Sequence, residues 1–238
     1  RLSMRRPIRS AAGPKIFIRS SSSEMKKRLD ELFITKPKAD IVVKAVEKFR
    51  ESSAGAAFYQ QPAPDGTRPG MFYVNLRDMR DQPVYQLEAL AHHEGIPGHH
   101  MQIAIAQELT GIPKFRKLGA RFTAYTEGWG LYSELTPKEI GMYQDPYSDF
   151  GRLSLELLRA ARLVVDTGMH AFGWSREKAI EYFLKYLVQN PDDLEVKYAP
   201  MIYLFFYKDL YAVQPWIKGF KVPAVFNGQR WTDVTISK

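Results

Sequence analysis

The nine residues HHEGIPGHH, His92 to His100, constrain this chain more than any other stretch. They hold four of the five histidines in 238 residues, arranged around one glutamate and a proline between two glycines. The segment just before them, PVYQLEALAHHE, places Val84, Leu87, Leu90 and Ala91 on one face of a helix. Pro83 suits the first turn of that helix. Pro97 then disfavours helical geometry at Ile96, while Gly95 and Gly98 tolerate unusual dihedrals. A break between Gly95 and Gly98 is therefore predicted.

The break matters because of the histidine spacing. In the familiar zinc-peptidase arrangement two histidines lie four apart on a helix, with a glutamate after the first. Here the position four after His93 is Pro97, and His99 and His100 follow at six and seven. On a straight helix that separation is a rise of roughly 9–10 Å. Two imidazoles that each bind zinc at about 2.0–2.1 Å do not span it. A chain reversal at Pro97 would bring His99 or His100 back beside His93. Histidines that merely cap a helix end are the bland alternative; four of them at one Pro/Gly break favour a metal. His92, and whichever of His99 and His100 is not a ligand, then take supporting roles.

The chain has no cysteine, so any metal must be held by nitrogen and oxygen. A third ligand is found in TAYTEGWGLYSE, where Glu127 lies among aromatic and glycine neighbours. Glu134, seven residues on, falls on the same helix face. Glu94, directly after His93, suits a general base.

Residues 1–23 are basic and serine-rich and read as an arm or linker, with Ser23 capping a helix in SEMKKRLDEL. DIVVKAVEKFR, residues 40–50, carries both strand and helix signals. AAFYQQP and GMFYVNL read as a hairpin joined by the turn-rich PAPDGTRPG. Further helices are expected in HMQIAIAQEL, RFTAYTEGWGLYSEL, SDFGRLSLELLRAARLVVDTGMHAF, SREKAIEYFLKYL and PDDLEVKYAPMIYLFFYKDLYAV, ahead of an irregular tail, 214–238. The expected fold is mainly α (α+β): one domain over 24–213 with a small antiparallel sheet beside the metal-binding helix. MFYVNL would pin an extended peptide by main-chain hydrogen bonds, with Tyr73 and Asn75 in contact.

Composition removes other classes. Apolar residues make up 45% and charged residues 25%, as in ordinary globular proteins. The most apolar run, Tyr198 to Tyr207, is ten residues long and contains Pro200, too short to span a membrane. The net charge of +8 is scattered apart from RLSMRRPIR. No basic stripe interleaved with aromatics is present, so nucleic acid is not an expected partner. No apolar signal segment follows the first arginines. An exported, periplasmic protein whose targeting segment lies outside this chain is the working expectation.

HEGIPGHHMQ, TEGWGLYSE, DGTRPGMFYVN and LRAARLVVDTGMHAFGWSREKAI together resemble a bacterial family known as domain-of-unknown-function family 885. Members look like zinc metallopeptidases of the glutamate-ligand (gluzincin) kind, with a zincin-like helical domain. The resemblance covers roughly residues 40 to 210, the metal-binding C-terminal half of the family pattern. It implies a Zn2+ site of His93, His99 and Glu127, with His100 as the alternate ligand and Glu94 as base. Near the end, YAPMIYLFFYK stands where the family has a proline-glycine-glutamine segment leading to Ser-Tyr-Lys; Tyr207 and Lys208 match the last pair. Tyr207 and His170 are candidate donors to an oxyanion. The implied activity is hydrolysis of a peptide or small amide, with the family's N-terminal helical half completing the cleft. A metal-stabilised domain without catalysis, or an inactive fragment of a larger peptidase, is the alternative.

Overall fold

A computed structural model of the protein describes residues 12–78, 83–119 and 122–187, together with the short pairs Ile217–Lys218 and Thr235–Ile236. Helix α1 (Ala12–Arg28) precedes a three-stranded sheet of β1 (Ile41–Ala45), β2 (Ala57–Gln60) and β3 (Gly70–Val74). Then come α2 (Leu87–Glu94), α3 (His99–Glu108), the short α4 (Lys114–Leu118), α5 (Thr123–Glu139), α6 (Pro146–His170) and α7 (Arg176–Tyr186). The described residues are mainly helical with a small three-stranded sheet, as expected, and Ile217–Lys218 pairs antiparallel with Thr235–Ile236. Among the described residues no helix is long and apolar enough to cross a membrane.

The three-stranded sheet matches expectation in its hairpin and departs from it in its third strand. The β2–β3 hairpin is antiparallel, pairing Ala57 with Val74 and Phe58 with Tyr73. But β1 pairs with β3 in parallel, so the sheet is mixed and its order is β1-β3-β2. The ambiguous 40–50 segment resolves to a strand over 41–45 because Val43 joins Phe72, Val74 and Ile18 in the main core. The same topology corrects the expectation that MFYVNL pins a peptide. β3 is the central strand, with both edges already paired. Tyr73 is buried, stacked on Phe58 with ring centroids 4.9 Å apart. Asn75 donates from Nδ2 to the carbonyls of Glu51 and Ala54 and accepts from the amide of Arg77, which fixes the loop between β1 and β2.

The serine-rich segment is also not a linker from residue 12 onward, nor does Ser23 begin a helix; it lies within α1. Ile18, Ser22, Met25 and Leu29 form one buried stripe at helical spacing. Pro14 sits in the first turn, where its missing N–H costs nothing. Ile18 packs on the sheet, and Met25 and Leu29 pack on Ile96 and Met101 at the histidine segment. The expected tail after Gln214 lies outside the described residues, apart from the pairs already named.

The predicted break is present. α2 ends at Glu94, α3 begins at His99, and the Ile96–Pro97 peptide is cis. A broken helix leaves carbonyls that must find partners. His92 Nδ1–H donates to the Ile96 carbonyl at 3.1 Å, and Trp129 Nε1–H on α5 donates to the Pro97 carbonyl at 2.9 Å. Gly98 is where the returning chain presses on the end of α2. A Cβ there would collide with the carbonyl oxygens of His93 and His92. Gly98→Ala is therefore expected to cost about 1–3 kcal/mol, the range of an overpacked core site. Urea unfolding measures it; an unchanged midpoint would show that the turn has slack.

Candidate metal centre

His93, on the last turn of α2, and His99, on the first turn of α3, face each other across the break with ring centroids 4.6 Å apart. Glu127 reaches them from α5. His93 Nε2 lies 3.4 Å from Glu127 Oε2, and His99 Nε2 lies 3.6 Å from Glu127 Oε1. One donor atom from each of the three falls within 4.8 Å of the others. Ligands about 2.0–2.1 Å from a tetrahedral zinc are about 3.3 Å apart, so the two imidazole–carboxylate separations are nearly edges of such a site. The cluster is open on one side, because the Glu127 side chain is 53% exposed while that of His93 is 4% exposed.

Three residues of α5 shape this arrangement. Glu127, Gly130 and Glu134 share a face, at spacings of three and four. Glu127 meets both imidazoles. Gly130 makes room for His93, whose ring atoms would lie 2.5–2.9 Å from a Cβ at that position. Glu134 Oε1 accepts from His93 Nδ1–H at 2.7 Å. Arg159, on α6, donates from Nη1 to the same carboxylate oxygen at 2.9 Å. Arg159 Nη2 also lies 3.2 Å from His93 Nδ1. Both groups are donors there, so that approach is a contact and the bond belongs to the carboxylate.

The electrostatics follow from burial and these bonds. Burial pulls the pKa of His93 down, but the hydrogen bonds to Glu127 and Glu134 outweigh it and push it to about 9. The His93 bond holds Glu127 below the usual carboxylate range, against a smaller opposing effect of burial. Burial lowers His92, His99 and His100 to about 4 each, so all three are neutral imidazoles near neutral pH. Glu94 is only partly exposed, and burial raises it to about 7. A proton on His93 bridges the metal-free cluster, and an ion bound there would take its place.

His100 is not the alternate ligand. Tyr59 hydroxyl lies 3.0 Å from its Nδ1, and its Nε2–H donates to the Ala39 carbonyl at 3.0 Å. Both ring nitrogens are thus spent on tying α3 to the sheet. His170 sits at the C-terminal end of α6, 55% exposed, with Nδ1 bonded to the Asp166 carbonyl at 2.9 Å. It is eleven residues beyond Arg159, roughly 16 Å along the helix. The cation brought to the cluster is Arg159. Tyr207 lies outside the described residues. Arg159 and Gly130 lie within the LRAARLVVDTGMHAFGWSREKAI and TEGWGLYSE motifs but had no role of their own from sequence, whereas Glu134 was already visible as the second acid on the Glu127 face.

These contacts separate the histidines by experiment. His99→Ala and Glu127→Gln should each lose zinc on dialysis against a weak chelator. His100→Ala should keep it and instead lose about 1–3 kcal/mol of stability by stranding its buried partners. Zinc loss from the His100 variant at full stability would reverse the assignment.

No curated protein is significantly similar to the chain. A solved structure described as "the putative lipoprotein from Colwellia psychrerythraea" matches with a TM-score of 0.76 and 38% identity. The match covers 82% of this chain but 35% of that one, so the chain spans about a third of the length of that relative. The sequence profile of a family described as bacterial protein of unknown function matches residues 16–201, which include every residue of the metal cluster and the helices that carry them. The chain belongs to that family, DUF885.

Proposed function

We propose that the chain is the metal-binding part of a zinc-dependent hydrolase that cleaves peptide or small amide bonds. The observation that carries this reading is the placement of Glu94. It directly follows a ligand residue, at the end of α2, beside a three-donor cluster that is open to solvent. Two imidazoles and one carboxylate suit zinc, and three protein donors leave a tetrahedral ion one further position, as catalytic sites do and closed structural sites do not. His93, His99 and Glu127 would hold the ion. When bound, zinc supplies Lewis acidity towards a water and a carbonyl.

The remaining chemistry belongs to the chain's own groups. Glu94, with its affinity for protons raised to about pH 7 by burial, is suited to take a proton from water and return it to the leaving amine. Glu134 and Arg159 hold His93 in place. An oxyanion donor is still required. Tyr207 remains the proposal for it, since His170 is engaged with Asp166 at the far end of α6. The family's remaining length would complete the substrate cleft. The description of the Colwellia protein as a lipoprotein supports an exported, periplasmic place for this one too.

Zinc-loaded protein should cleave members of a mixed peptide library, read by mass spectrometry. Glu94→Gln should retain its zinc and lose roughly 10²–10⁴-fold in rate, the usual worth of a positioned base. Zinc retained by both proteins with cleavage by neither would leave a metal-stabilised domain as the better reading.

A further inference from the structure

We infer that Glu134, locked by Arg159, is the positioning residue that presents the Nε2 lone pair of His93 to the metal site; this rests on the metal-site reading above. A neutral imidazole has one N–H and one lone pair, and the partner of the first decides where the second points. The bond from His93 Nδ1–H to Glu134 Oε1 is 2.7 Å long and lies in a site where the glutamate side chain is 1% exposed. Nε2 is therefore left facing Glu127 Oε2 at 3.4 Å. Gly130 sets the close approach of α5 to the ring, and Glu134 fixes the ring's rotation. Both constraints come from the helix that also supplies the carboxylate ligand. One stripe of α5 thus provides ligand, wall and orienting group.

Arg159 gives this deeply buried carboxylate a cationic partner. Its Nη1 donates to Glu134 Oε1 at 2.9 Å, and it is the bond that ties α5 to α6 at this point. Glu134 Oε2 is buried with no hydrogen-bond partner among the described residues, so the carboxylate's bonds to His93 and Arg159 both run through the one oxygen that they share. A carboxylate serving only to join two helices would have no need to meet a ligand histidine at its inner nitrogen. A carboxylate behind a metal-bound histidine does, and removing such a partner typically costs 10–100-fold in metal affinity.

The test uses the whole chain, stripped of metal, with Co2+ and Zn2+ as probes. Glu134→Gln keeps the shape of the side chain and removes the charge. It should unfold cooperatively in metal-free form, bind Co2+ 10–100-fold more weakly than the parent in competition with a chromophoric chelator, and alter the visible ligand-field bands of bound Co2+. A folded variant with unchanged affinity and spectrum would overturn the inference and leave the hydrolase reading standing. A parent protein that binds neither ion would remove both. Should Glu134→Gln not fold, long-range 1H–15N spectra of the zinc-loaded parent decide the matter. His93 should carry its proton on Nδ1; a bare Nδ1 would overturn the inference.

Discussion

The interruption of one helix at Pro97 is the constraint on which the rest of this structure depends. Without it His93 and His99 would lie about 9 Å apart along an axis and share nothing. With it they face each other at 4.6 Å between ring centroids. A break inside a protein core is costly unless the freed carbonyls are satisfied. Here His92 and Trp129 take the carbonyls of Ile96 and Pro97, and Met25, Leu29 and Met101 pack on Ile96. His92 is thus spent on building the turn that brings its neighbour to His99. The two adjacent histidines of α2 have different duties because successive side chains on a helix point about 100° apart.

Much of this was legible in the sequence, and the reason is local. Proline and glycine act on their own backbone and their nearest neighbours, so the turn at 95–98 could be read from a few residues. The place of Glu127 was legible for a related reason, since one acid among glycines and aromatics at helical spacing marks a face that something must approach. What escaped the reading was encoded at a distance. Arg159 is 66 residues from His93, and its role exists only because α6 crosses α5 at Glu134. The choice between His99 and His100 was likewise open, because it depends on Tyr59 and Ala39, which the sheet brings to His100 from 41 and 61 residues away.

The two errors in the fold share one cause. The part of α1 ahead of Ser23 was hidden because its inward stripe contains Ser22 between Ile18 and Met25, so an apolar period was diluted by a serine that is nonetheless buried. The parallel strand β1 was hidden because IVVKAVEKF satisfies helix and strand patterns alike, and only its pairing with β3 decides between them. In both cases tertiary burial overrode a weak local signal. The central place of β3 follows from β1's arrival, and with it the loss of the free edge that a bound peptide would have needed.

Charge gives the arrangement a purpose that packing alone does not. Glu94, Glu127 and Glu134 stand close enough to perturb one another, and against them are set Arg159 and a protonated His93. With Glu94 ionised, three carboxylates face two cations and leave one negative charge in excess; with Glu94 protonated the charges balance. The group that bears the consequence is Glu94, whose burial and acidic neighbours favour its neutral form. Exchanging the His93 proton for a divalent ion would cancel the excess and favour the ionised form of Glu94. A cluster assembled only to hold helices together would gain nothing from such an imbalance, since uncompensated buried charge is destabilising. The imbalance is what a cation site is expected to show before its cation is counted.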